Sequence, residues 1–296
     1  MRIVSLLPSA TEILFALGRG EEVVGVTFEC DHPPEARSRR IVSTSSLPEG
    51  LAPCEIDALV RERLARGEDL YHLDAGALAG LDPDLIVTQD LCAVCAVDVA
   101  EVEDALIHLG CKARVLTLDP MRLDEVIASL EAVGAATGSE AAAAELMSSL
   151  RARLGTLAAR LEGARTRPAL VLEWTDPPFS AGHWVPDMVV AAGGADVLGR
   201  AGERSEAVAW DRVRTSGAEV VIVAPCGYRL DGAFSLTEQL VGTGELPPGA
   251  EVWAVDADAY MVRPGPRVVE GCEMLASVLH PDRCGEPDLA MARQLA

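Results

Sequence analysis

DLIVTQDLC, residues 84–92, carries a continuous apolar and β-branched run from Leu85 to Thr88, which is closed by Gln89 and Asp90 and followed by a cysteine. A run that is apolar at every position suits a strand covered on both faces, as in a parallel sheet with helices above and below. Asp82-Pro83 announces the turn into it. EVVIVAPC, residues 219–226, repeats the arrangement with a second cysteine just beyond the buried run. Two such strands predict two sheets, with ligand-facing loops at the carboxyl ends of their strands.

Working outward, strands and helices alternate. Residues 2–6 and 23–26 read as short strands flanking a helix at 11–17, and residues 41–44 and 55–66 as a strand and a surface helix. A helix over 99–109 and a strand over 113–118 follow the central run, and Asp119-Pro120 opens a helix that reaches Gly138. Residues 139–163 then place Leu146, Leu150, Leu154, Leu157 and Leu161 on one stripe, a helix of about 37 Å. Strands at 169–173, 219–224 and 252–255 alternate with helices at 184–192 and 266–279, and the residues from Gly285 onward predict a loose tail. SATEILFALGRGEEVVG at 9–25 resembles WVPDMVVAAGGADVLG at 184–199, which suggests duplication. The expected architecture is α/β, with two Rossmann-like lobes of mainly parallel sheet at 1–118 and 165–296. Linking helices over 119–164, including one long rigid helix, join them.

Forty-six acidic against twenty-five basic residues give a net charge of -21, which argues against nucleic acid or an anionic membrane surface as partner. No apolar run approaches the roughly 18 residues of a spanning helix, so membrane insertion is not expected. Residues 3–8, IVSLLP, are too short an apolar segment for an export leader. Eight cysteines without dense spacing fit a reducing compartment. Both observations predict a cytoplasmic protein, or a periplasmic or extracellular one if a leader has been removed.

RIVSLLPSATEILFALG at 2–18, VVGVT at 23–27, WTDPPFSAGHWVPD at 174–187, AGGADVLG at 192–199 and YMVRPGPRVVEGCEML at 260–275 together resemble one family. It is the cobalamin- and siderophore-binding branch (class III, helical backbone) of ABC-transporter substrate-binding proteins. The resemblance implies two lobes with little hinge motion and a small-molecule ligand, cobalamin or another metal chelate, in the cleft. An ABC transporter permease would be the partner if the protein is exported. Carried over by position, Pro8, Ser9, Thr11, Glu29, His32, Gln89, Asp90, Ser180, Gly182, His183 and Trp184 would line that cleft. Trp184 has two readings, a flat face for a corrin ring or a helix-start residue packed in its own lobe. His32 and His183 read either as ligands to cobalt or as caps of their own turns.

The cysteines support two further readings. Cys92 and Cys95 form a CxxC pair after a strand, as in thiol redox proteins. Their acidic neighbours Asp90 and Asp98 oppose free thiolates, whereas a bound cation reverses that penalty. Cys30, Cys92, Cys95 and Cys226 all follow strands and would suit zinc or an iron-sulfur cluster. Cys54, Cys111, Cys272 and Cys284 read as structural. Phosphate-cradling GxxxxGK, GxSxG and HExxH motifs are missing, so nothing points to a particular enzyme reaction.

Overall fold

The computed structural model describes residues 1–48, 50–66, 68, 70–89 and 112–295. The chain forms two compact units, residues 1–120 with 127–148 and residues 121–126 with 149–296. The helices Leu123–Thr137 and Glu140–Arg160 each give residues to both units. Glu140–Arg160 has 21 residues, or about 31 Å. It is shorter than the leucine stripe suggests because the chain turns before Gly163, which adopts φ 73°.

In the first unit, β1 (Ile3–Ser5), β2 (Val23–Thr27), β3 (Arg40–Ser45), β4 (Tyr71–Leu73), β5 (Leu85–Thr88) and β6 (Arg114–Thr117) form one sheet in the order β4-β3-β2-β1-β5-β6. All pairings are parallel except that of the edge strand β4. Strand order reverses between β1 and β5, the position where doubly wound sheets open a crevice at their carboxyl edge. Every residue of β1 and β5 is buried, the apolar ones in the core and the terminal Ser5 and Thr88 as buried polar groups. Val4, Leu6, Val42, Leu73 and Ile86 form the core on one side, each such burial contributing about 1.5–3 kcal/mol. The helix Pro8–Ala16 starts earlier than expected. Proline at its first turn has no N–H to leave unpaired, so the apparent loop at 8–10 is helix.

The second unit holds β7 (Arg167–Thr175), β8 (Pro178–Ser180), β9 (Gly194–Asp196), β10 (Glu206–Ala207), β11 (Val220–Val223), β12 (Glu251–Val255) and β13 (Ala292–Gln294). The order is β10-β8-β7-β11-β12-β13, with β9 also pairing β7. β7, β11 and β12 are parallel, and β11 lies beside β7 as β5 lies beside β1. β9, reached through the helix Val185–Ala191, pairs in parallel with β7 as β2 pairs with β1. Gly18 at φ 74° and Gly193 at φ 82° close the two equivalent helices. The internal repeat is therefore a repeated strand-helix-strand unit. The tail corrects the expectation of looseness: Ala292–Gln294 pairs antiparallel with β12, and Ala292 is fully buried. Three residues without an apolar run leave no local signal, and the pairing partner supplies the order.

Two packing features yield measurable consequences. A Cβ on Gly271, inside the helix Val268–Leu279, would meet the Tyr260 carbonyl oxygen at 2.1 Å and Met188 Cε at 2.6 Å, whereas Gly155 has nothing within 4 Å. Gly271→Ala is expected to lower stability by about 2 kcal/mol or more, and Gly155→Ala to raise it by up to about 1 kcal/mol. The two should shift the urea midpoint in opposite directions. Asp196 accepts the amides of Leu198 and Gly199, yet burial pushes its carboxyl up to about 6. Its unfolded value is near 4, so the folded state binds the proton more tightly, and stability falls as pH rises from about 4 to 6, then levels. Asp196→Asn keeps the accepting oxygen and should raise the unfolding temperature at neutral pH while changing it little near pH 4.

Candidate ligand-binding site

At the carboxyl edge of the first sheet, Pro8 is half-buried and Ser9 and Thr11 are buried in the opening turn of their helix. The Thr11 hydroxyl lies 2.9 Å from Ser5 Oγ and 3.0 Å from Cys30 Sγ, tying β1, the helix and the segment after β2 together. Gln89 is buried at the end of β5, and His32 is exposed ahead of a cis peptide bond to Pro33. Glu29, half-buried, accepts the Tyr71 hydroxyl at 3.2 Å. Phe28, 40% exposed, packs on Tyr71 with ring centroids 6.2 Å apart and planes at 41°. This pair was not read from the sequence. Phe28 directly follows β2, and Tyr71 reaches the same edge because antiparallel β4 places its first residue opposite Ser45.

In the second unit, the structure enforces the packing reading of Trp184. Its indole is only 6% exposed, and Nε1 donates to the Met261 carbonyl at 2.8 Å. The expected stacking face on Trp184 is enclosed. Ser180 is buried, with its hydroxyl directed to the Glu206 carbonyl at 3.4 Å. Gly182 has no room for a side chain, since a Cβ would approach Ser205 N to 2.3 Å. His183 adopts φ 50°, donates its amide to Glu203 at 2.6 Å, and keeps a buried, unpartnered Nε2. Burial, reinforced by the Arg204 charge, holds its imidazole below the usual range and hence neutral at neutral pH.

In this unit Trp174 and Tyr228, both half-buried, form an aromatic pair. Trp174 stands near the end of β7 and Tyr228 in the turn after β11, centroids 5.9 Å apart and planes at 60°. Burial pushes the Tyr228 hydroxyl up, so it stays protonated. Beside them, Arg229 approaches Asp258 at 3.4 Å and Asp256 at 4.0 Å, while Arg263 grips Asp258 at 2.7 Å. Trp174 opens the WTDPPF segment quoted from the sequence; its aromatic partner, distant in sequence, was not read from it.

The cysteine readings fare differently. Cys30 is buried against Thr11, whereas Cys226 is exposed. Asp90, Cys92, Cys95 and Cys111 lie outside the described residues. Among the described residues no group of three or more His, Cys, Asp or Glu side chains is placed to hold a metal ion. The CxxC pair and two of the four cysteines proposed for zinc or an iron-sulfur cluster thus lie outside the described residues, and Cys30 and Cys226 differ in burial. Cys54, expected to be structural, is exposed; Cys272 is buried, and its thiol is pushed well above the ordinary range by burial.

Residues 3–240 match the family model described as periplasmic binding protein, and the chain belongs to that family. It is 26% identical to an ABC transporter substrate-binding lipoprotein of Bacillus subtilis, over 95% of this chain and 80% of the relative. It is 24% identical to a cobalamin-binding protein of Halobacterium salinarum, over 94% of this chain and 69% of the relative. Its fold matches that of a periplasmic haem-binding protein of Pseudomonas aeruginosa with TM-score 0.69 at 18% identity, covering 100% of this chain and 95% of the other.

These findings overturn the cytoplasmic placement, since the family model is that of periplasmic binding proteins and the Bacillus subtilis relative is a lipoprotein. Residues 3–5 are a buried strand at the centre of a sheet. The segment read as too short for a leader thus begins with a strand of the fold. No helix among the described residues is long and apolar enough to cross a membrane. Trp184→Phe removes the donor to Met261 and is expected to cost about 1–3 kcal/mol in urea unfolding, while leaving the Trp174 signal in near-ultraviolet circular dichroism unchanged.

Proposed function

We propose that this protein is an extracytoplasmic substrate-binding protein that captures a cobalamin-type corrinoid and hands it to an ABC transporter permease. Family membership supports the class, and the cobalamin-binding relative supports the ligand. The observation that carries the reading is the Trp174–Tyr228 pair at the carboxyl edge of the second sheet, matched by Phe28–Tyr71 at the same edge of the first. Tilted aromatic pairs of this kind leave a ring face open, and a large flat ring gains dispersion and desolvation energy against it. In the first unit Glu29, His32 and Gln89 are assigned polar contacts to ligand, with Pro8, Ser9 and Thr11 shaping the first loop; in the second unit His183 is assigned such a contact, while Ser180 and Gly182, already bonded to Glu206 and Glu173, shape its loop. His183, neutral, retains a lone pair for a hydrogen bond or a metal. The chain's net charge of -21 suits a neutral or cationic ligand better than a polyanion.

The test is titration with cyanocobalamin, followed by tryptophan quenching, with haem in a parallel titration. Saturation below about 10 μM is expected for the corrinoid. Absence of quenching at tens of micromolar would overturn the assignment, and tighter binding of haem would reassign the ligand. Trp174→Ala and Phe28→Ala should each weaken binding by about tenfold, which is about 1.4 kcal/mol, while Trp184→Phe should not.

A further inference from the structure

Glu173 sits where the pairing of β7 with β8 slips. Leu172 is opposite Ser180 and Trp174 opposite Phe179, so β7 carries one more residue than its partner across this step. Regular alternation would give Trp174 the same face as Leu172, which is fully buried in the sheet core. The extra residue breaks that alternation, and Trp174 stands half-exposed against Tyr228 instead. Bulges of this type re-aim side chains, at the expense of regular ladder bonding.

The bonds that Glu173 makes compensate for that loss. Its Oε1 accepts the Gly182 amide at 3.2 Å and its Oε2 accepts the Ser205 hydroxyl, so one carboxylate spans two segments. Those segments abut so closely that position 182 tolerates only glycine. The Glu173 carbonyl accepts the Cys226 amide at 3.1 Å, and within the same turn the Tyr228 amide donates to Pro225 at 3.2 Å. Both aromatic residues of the platform are thus tied to one bulged residue, Trp174 as its neighbour in the chain and Tyr228 through the turn it holds.

We infer that Glu173 is the positioning residue of the second-lobe platform: its carboxylate locks the bulge that turns Trp174 towards Tyr228, and its carbonyl sets the turn at residues 225–228. The effect on ligand rests on the proposed function, but the clasp itself is measurable without ligand. Glutamine preserves it, because the amide oxygen accepts from Gly182 and the amide nitrogen donates to Ser205, whose hydroxyl accepts as well as it donates. Alanine removes it.

Residue-resolved hydrogen exchange on the full chain tests this with Glu173→Ala, Glu173→Gln and Ser205→Ala. In Glu173→Ala, exchange at Gly182 and Cys226 should rise by about tenfold or more while that of Ile222 in the neighbouring strand stays unchanged, since stable core amides open only with the whole domain. Glu173→Gln should restore the parent rates, and Ser205→Ala, the milder variant should Glu173→Ala fail to fold, should loosen the same two amides by a smaller factor. Corrinoid affinity should fall about tenfold in Glu173→Ala and recover in Glu173→Gln. Unchanged exchange at Gly182 and Cys226, an equal rise at Ile222, or a glutamine variant as loose as the alanine one would each overturn the inference. So would a corrinoid affinity in Glu173→Ala equal to that of the parent. A parent protein that shows the clasp in exchange yet binds no corrinoid would refute the proposed ligand and leave the clasp standing.

Discussion

A strand buried on both faces has no water to satisfy its backbone, so each amide and carbonyl must pair with a strand alongside. β5 meets that demand between β1 and β6, and β11 between β7 and β12. Because their side chains are apolar throughout β11 and up to Thr88 at the end of β5, the chain becomes polar where it leaves the sheet. The turns beyond the strands therefore hold the chemistry. Pro8, Phe28 and Gln89 in one unit, and Trp174, Tyr228 and Asp256 in the other, all stand at such exits.

The same logic explains what was legible in the sequence. LIVT and VVIV announce central strands because nothing polar interrupts them, and the repeated helix before a left-handed glycine announces the duplication. The loops at the strand ends could be listed for the same reason. What each loop residue does there could not, since its role depends on partners far away in the chain. Trp184 read equally as a face for a corrin ring or as a packed helix start, and the Met261 carbonyl, 77 positions on, takes its side-chain donor. Trp174 takes its place from Tyr228, a partner distant in the sequence. Cys30 and Cys226 shared a description, a thiol after a strand, and turned out to be one buried and one exposed.

Location was the reading that failed outright, and the failure is instructive. The thiol count and the short apolar start reflect packing: Ile3–Ser5 is a buried strand of the first sheet. Cys272 is packed within the helix Val268–Leu279 and Cys30 beneath Thr11, environments in which a thiol behaves as a small apolar group in any compartment. Family membership speaks to address in a way that such composition cannot.

β13 has a consequence of a different kind. β12 reads EVWAV and would otherwise present a free row of backbone donors and acceptors flanked by apolar side chains, the features that let sheets of separate molecules join. The three residues Ala292–Gln294 occupy that row. Residues 292–294 thus cover an edge through which separate copies of the chain could otherwise pair.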